Sequence, residues 1–365
     1  MKFVINKDIL VENLQKVLGP TTTKQNFPLL SSVLLTTSKN ILKLTATDLD
    51  ITVISLQGLE EIEAGEVAIP MKKFLSIIRE LPPGKITIEK IKNNLLIRCE
   101  KIEFKVTTLN AEEFPQIQEK GGVSLIKIDP QELAEMIKLT SFCVGQEDSS
   151  YVLGGILFEI DQSKINLVST DGKRLSFIQK KLPPKQPEVI SKISFILPVK
   201  AVNELQKLIK DKVDEAYLSV ENNRVGFDFK DTQFIARPIE GEFPNYSQYI
   251  PKESKDKLVV DRKNLLFALK RASLLSTTDY QGVKVELKKD HLNIYKNTPQ
   301  LGEVRETVEA RYSGAFLEIG FNPNYLTDAL KNLTDQEVCI DFFGTDKPAV
   351  LRKEGYIYLI LPMKP

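Results

Sequence analysis

A chain that carries one pattern several times folds into several copies of one unit, because each copy has the same apolar face to bury. Here the run Leu167-Val168-Ser169-Thr170-Asp171-Gly172-Lys173-Arg174-Leu175 is shadowed by Leu44-Thr45-Ala46-Thr47-Asp48-Leu49. In both, an apolar alternation runs into Thr-Asp and a second alternating run follows at once: Ile51, Val53 and Ser55 early, Leu175, Phe177 and Ile178 late. That reads as two neighbouring strands joined by a polar bend, with Asp48 and Asp171 capping the turn.

Helix signals recur on the same spacing. Residues 5–20 put apolar groups at Leu10, Leu14, Val17 and Leu18, with Asp8 near the cap and Gly19-Pro20 as the stop. Asp129-Pro130 opens a second helix of this kind, with Leu133, Met136 and Ile137 on its apolar face, and Asp261 opens a third over 262–272. Each follows a short strand-like run, at 3–5, 125–128 and 258–260. Another helix type starts at Pro70, Pro198 and Pro323, a residue suited to the first turn, and these prolines stand 128 and 125 residues apart. Glu113-Phe114-Pro115 and Glu242-Phe243-Pro244 are 129 apart, and Thr47 and Thr170 are 123 apart. Four independent markers with one period of about 125 residues predict three tandem copies.

Alternating runs fill the rest of the first copy, at 33–36, 42–45, 51–55, 85–89, 95–99 and 104–108. Each copy therefore reads strand, helix, three strands, then the same again: an α+β unit with two helices packed on antiparallel sheets. Pro, Gly and charge gather at 116–122 and 244–257, which predicts domains at 1–120, 121–246 and 247–365. A chain of 365 residues, 42% hydrophobic and 27% charged, has the material for three cores.

Composition narrows the function classes. A formal net charge of +1 is not the basic balance common in nucleic-acid binders, so any such face must be local. Cys99, Cys143 and Cys339 are few and far apart, which argues against a disulfide framework and against a metal cluster; no metal or cofactor is expected. The sequence holds no apolar run of membrane length and no signal-peptide core, so a cytoplasmic protein is expected. His291, the only histidine, lies in a polar turn, which leaves no Ser-His-Asp triad. Gly154-Gly155 precedes a strand and makes no phosphate loop.

On these residues, with the opening Met1-Lys2-Phe3, Gly19-Pro20, Gly241-Glu242-Phe243-Pro244-Asn245-Tyr246, Glu318-Ile319-Gly320-Phe321-Asn322 and the closing Tyr358-Leu359-Ile360-Leu361-Pro362-Met363, the whole chain resembles the bacterial DNA polymerase III beta subunits, the DNA sliding-clamp family. The resemblance implies three tandem DNA-clamp domains forming half of a closed ring. It implies a head-to-tail homodimer around double-stranded DNA, sequence-independent, with helices lining the hole. It further implies a processivity factor without catalytic activity, which tethers the replicative polymerase alpha subunit, the clamp loader and other clamp-motif proteins. The polar faces of the helices suit a loose phosphate contact: Lys7, Lys16, Lys72, Lys73, Arg79, Lys138, Lys200, Lys207, Lys210, Arg262, Lys263, Lys270, Arg271 and Lys331.

Carried over residue by residue, the family's DNA contacts fall on Lys24, Lys72, Gln146, Tyr151 and Lys200. The loop at 146–151 departs from the family pattern by one extra residue, and Val152 stands where a second tyrosine is common. The groove for partner peptides would comprise Leu153, Thr170, Gly172, Lys173, Arg174, Leu175, Pro244, Tyr249, Leu359, Leu361 and Met363, with apolar anchors in the slot and Arg174 orienting the peptide. Read without the resemblance, Leu153, Leu175, Leu359 and Leu361 are equally strand core. Ring closure would join Lys73, Ile77, Ile78, Phe104 and Lys105 to Leu274, Leu275, Glu303 and Glu306 of another subunit, apolar centres rimmed by opposite charge. The rival reading is a hydrolase or transferase with a diffuse carboxylate site on a triplicated scaffold.

Overall fold

The computed structural model describes all residues except 22–26, 118–124, 146–149, 185–191, 211–212, 222 and 365, and the side chain of Lys210. Among the described residues there are six α-helices: α1 (Lys7–Lys16), α2 (Met71–Glu80), α3 (Pro130–Thr140), α4 (Val199–Lys210), α5 (Arg262–Ser273) and α6 (Pro323–Asn332). α3 and α5 start as the sequence predicts: Asp129 Oδ1 accepts from the Gln131 N–H at 2.8 Å, and Asp261 Oδ1 from the Asn264 N–H at 2.8 Å. α1 starts differently. Its cap is Asn6, whose side chain accepts from the Asp8 N–H at 2.9 Å, while Asp8 sits in the first turn, where a carboxylate complements the helix dipole.

The chain condenses into two compact units that cut across the threefold repeat: residues 1–131, 183–188 and 203–238 in one, residues 132–182, 189–202 and 239–365 in the other. The reason lies in the sheets, which run on across the ends of the repeats. The first unit holds a five-stranded antiparallel sheet in the order Glu60–Glu63, Lys2–Asn6, Lys85–Ile91, Asn94–Cys99, Ile102–Thr107. It also holds an eight-stranded sheet, Ile126–Ile128, Ala216–Glu221, Arg224–Phe229, Thr232–Ala236, Ile51–Gly58, Ile41–Thr47, Ser32–Ser38, Gly65–Pro70. α1 packs on α2 here, and Phe3, Leu10, Leu14, Phe74, Phe227 and Phe234 are wholly enclosed.

The second unit is built on one twelve-stranded antiparallel sheet. Its order is Ile193–Pro198, Gly155–Ile160, Lys164–Thr170, Arg174–Lys181, Tyr356–Ile360, Ala349–Lys353, Glu337–Asp341, Lys257–Asp261, Gly302–Tyr312, His291–Thr298, Val283–Leu287, Leu317–Phe321. α5 packs on α6, and the largest enclosed side chains are Tyr356, Tyr358, Phe158 and Phe321.

Candidate functional site

The site grows from the repeated turn. Asp171 Oδ1 accepts from the N–H groups of Lys173 at 2.9 Å and Arg174 at 3.0 Å, and Thr170 Oγ1 accepts from the Gly172 N–H at 3.1 Å. In the earlier copy Asp48 Oδ1 accepts from Asp50 at 3.1 Å and Ile51 at 2.7 Å, and Thr47 Oγ1 from Leu49 at 3.0 Å. Both aspartates therefore cap their bends, as the sequence predicts. Among the described residues no group of three or more His, Cys, Asp or Glu side chains is arranged to hold a metal ion. Burial pushes the Cys143 thiol well above its ordinary range, so it is no ready nucleophile.

The later turn delivers strand Arg174–Lys181 against the carboxyl-terminal strand Tyr356–Ile360, in a register that pairs Leu175 with Leu359. Alternation puts these two side chains on one face, buried with Leu157, Val168, Ile196, Ile239 and Val350. The ladder continues one step beyond the strand, where the Leu361 N–H donates to Lys173 O at 2.9 Å, and the Met363 N–H donates to Gly320 O at 2.9 Å. The tail is thereby pinned along the rim while its side chains stay out: Leu361 is 43% exposed and Met363 37%. Pro244, Gly172 and Lys173 are exposed, Tyr249 is 61% exposed, and Leu153 and Thr170 are half-buried. So this unit contains an apolar floor of Leu175 and Leu359, which the exposed Leu361 continues two residues along the same ladder.

Phe243, Tyr246, Ile250 and Val152 also pack on that floor, and sequence reasoning missed them. Tyr246 closes the run Gly241-Glu242-Phe243-Pro244-Asn245-Tyr246, whose repeated Glu-Phe-Pro is the signal that could have found it. Its ring meets Phe177 at 5.8 Å between centroids, and its hydroxyl donates to Glu159 Oε2 at 2.5 Å. Burial, then that hydrogen bond, raise the phenol above its ordinary range, so it stays a neutral donor.

Arg174, expected to orient a peptide, is turned inward instead. Nε donates to Asp171 Oδ2 at 2.9 Å, Nη1 to Asp328 Oδ2 at 2.9 Å, and Nη2 to Phe142 O at 2.8 Å. The guanidinium carbon lies 4.5 Å from the Tyr325 ring centroid, and the side chain is only 10% exposed. It ties the turn to the segment after α3 and to α6.

Lys72 and Lys200 are exposed in the first turns of α2 and α4, and Tyr151 is 74% exposed on the short turn Tyr151–Gly154. Lys24 and Gln146 lie outside the described residues. Several helix cations are already engaged: Lys16 with Glu12 at 3.1 Å, Lys207 with Glu204 at 2.7 Å and Lys331 with Asp328 at 3.7 Å. Arg262 is structural, donating to Asp335 O at 2.8 Å and Leu330 O at 2.9 Å, which fastens the start of α5 to the end of α6.

In the first unit Lys73 is exposed on α2, Ile77 is 8% exposed, and Phe104 (38%) and Lys105 are exposed on the edge strand Ile102–Thr107. Ile78 corrects the sequence expectation: it is fully enclosed in its own core. In the second unit Leu274 is 79% exposed past the end of α5, with Leu275 half-buried. Glu303 accepts from the Tyr295 hydroxyl at 3.2 Å, and Glu306 is held by Arg271 Nε at 2.8 Å in its own subunit, so it is not an unpaired rim charge.

Comparison with known proteins covers the full chain. Residues 1–118 match the DNA polymerase III beta subunit N-terminal domain, 127–245 its central domain and 247–364 its C-terminal domain. The chain is 32% identical over 370 residues to a beta sliding clamp of Pseudomonas putida, covering all of both chains. Among solved structures, it is similar to the DNA polymerase III subunit beta of Pseudomonas aeruginosa, with a TM-score of 0.94, 30% identity and complete coverage of both chains. It is equally similar to the DNA polymerase sliding clamp of Bacillus subtilis, with a TM-score of 0.94, 29% identity and coverage of 100% of this chain and 99% of that one. This chain therefore belongs to the DNA polymerase III beta subunit family, the bacterial beta sliding clamps.

Proposed function

We propose that the chain is a DNA sliding clamp, a cytoplasmic, non-catalytic processivity subunit that closes head to tail into a homodimeric ring around duplex DNA. Its three repeats, divided near residues 120 and 246, supply the inward cations, Lys72 and Lys200 among them, and Tyr151 reaches the strand near the ring face. The observation that carries the reading is the match of all three domains, in order, over the whole chain.

Closure uses two open strand edges. Ile102–Thr107 ends its sheet, and residues 302–308 pair on one side only among the described residues, since Lys257–Asp261 takes up the ladder at 310–312. Lys73, Ile77, Phe104 and Lys105 flank the first edge; Leu274, Leu275, Glu303 and Glu306 flank the second. The groove over Leu175 and Leu359 takes an extended segment of the replicative polymerase, the clamp loader or another clamp-motif protein. Burying one Leu or Phe anchor supplies roughly 1.5–3 kcal/mol, so partners exchange readily unless polar contacts add to it.

The test is topological. Clamp loaded on nicked circular DNA stays bound through gel filtration and leaves when the circle is cut once. Equal loss from intact and cut circles would refute the ring.

A further inference from the structure

The first unit contains a second version of the peptide groove, built from the earlier copy of the same turn. Strand pairing aligns the two. Ile51 and Thr52 pair with Ala236 and Ile235 where Arg174 and Leu175 pair with Ile360 and Leu359. The Arg237 N–H donates to Asp50 O at 2.9 Å, as the Leu361 N–H donates to Lys173 O at 2.9 Å. Pro115 stands where the tail-side groove has Pro244, through the repeated Glu-Phe-Pro. In the earlier copy these elements enclose a pocket of about 220 Å³, large enough for one or two side chains.

The chemistry has changed between the copies. Ile235 keeps the apolar floor in the place of Leu359, but Thr52 replaces Leu175 and Arg237 replaces Leu361 on the rim. Val225 pairs with Ala236 as Ala349 pairs with Ile360, so Arg224, a second rim cation, occupies the place of Pro348. Neither guanidinium makes a hydrogen bond or ion pair with another described residue, and Asp50, on the same rim, pairs with neither. Two unengaged, half-buried or exposed guanidinium groups over an apolar floor favour a carboxylate beside an apolar anchor.

We propose that this pocket is a second peptide-binding site, selective for an extended acidic segment of a partner protein. The proposal rests on reading the tail-side groove as a peptide site, since the pocket repeats its backbone geometry.

The test uses the full chain with its tail-side groove disabled by Leu361→Asp, and a fluorescein-labelled hexapeptide of alternating leucine and glutamate read by fluorescence polarisation. The disabled protein is expected to retain saturable binding, to weaken it at least about tenfold on adding Arg224→Glu and Arg237→Glu, and to gain affinity for the leucine-lysine counterpart in that charge-reversed form. A gain of this kind cannot come from a variant that fails to fold. Unchanged affinity after charge reversal, or equal displacement by millimolar inorganic phosphate or by short duplex DNA, would overturn the proposal. The tail-side reading is judged separately, by the fall in binding from the wild type to Leu361→Asp.

Discussion

The bend at 170–174 combines a feature that sequence displays with one that it conceals. Thr-Asp capping is legible because every bond it makes reaches a residue two to four positions away. The anchoring of Arg174 is not, because its partners Phe142 and Asp328 lie 32 and 154 residues distant, and no local pattern records them. A mostly buried charge shared among two carboxylates and a carbonyl is costly to disturb. Arg174→Lys, which cannot reproduce a three-way fork, is expected to lower stability by about 3 kcal/mol in urea unfolding. Gly172 and Leu49 occupy the same turn position with φ of 84° and 81°. Gly172→Ala therefore costs about 1 kcal/mol, although the added carbon meets nothing within 4 Å, and Leu49→Gly gains about 0.5 kcal/mol, because left-handed strain relieved outweighs the chain entropy added. The same unfolding measurement decides both.

At the level of elements, alternation found most strands of the first repeat but not Gly65–Pro70, whose buried Val67, Ala68 and Ile69 are consecutive and do not alternate, nor Glu60–Glu63. Glu60–Glu63 carries glutamate at three of four positions and buries none of them, so nothing in its pattern marks a strand; it forms by pairing with Lys2–Asn6 at a sheet edge. Likewise Asp8 looked like the cap of α1 because residue type alone cannot distinguish a cap from a first-turn acid; backbone geometry gave that role to Asn6. Ile102–Thr107 is the opposite case, a legible strand whose residues are nearly all exposed. Its exposure predicts a use outside the subunit. Phe104→Glu and Leu274→Asp should each weaken the dimer at least about tenfold in sedimentation while leaving the unfolding midpoint nearly unchanged, since neither side chain is core. A dimer of unaltered strength would remove these residues from the interface.

For the whole molecule, the period of about 125 residues was legible, but the compact units were not, because ladders such as Ile51 with Ala236 join strands from different repeats. Net charge misleads at this scale too: a chain at +1 can still carry local cationic faces, and on the proposed reading the exposed Lys72 and Lys200 belong to them. Attraction and retention should then separate with salt. Binding to a short linear duplex depends on displaced counterions and falls steeply as salt rises, and Lys72→Ala with Lys200→Ala, which removes four cations from a dimeric ring, should make that slope shallower by up to about four. Retention on a closed circle depends on the ring staying shut. It should persist at salt concentrations that abolish short-duplex binding, survive the lysine changes, and fail in Phe104→Glu. Filtration of loaded circles across a salt series reads all three. If retention instead follows the short-duplex curve, the clamp holds DNA by charge alone, and the interface at Phe104 and Leu274 has no part in keeping it there.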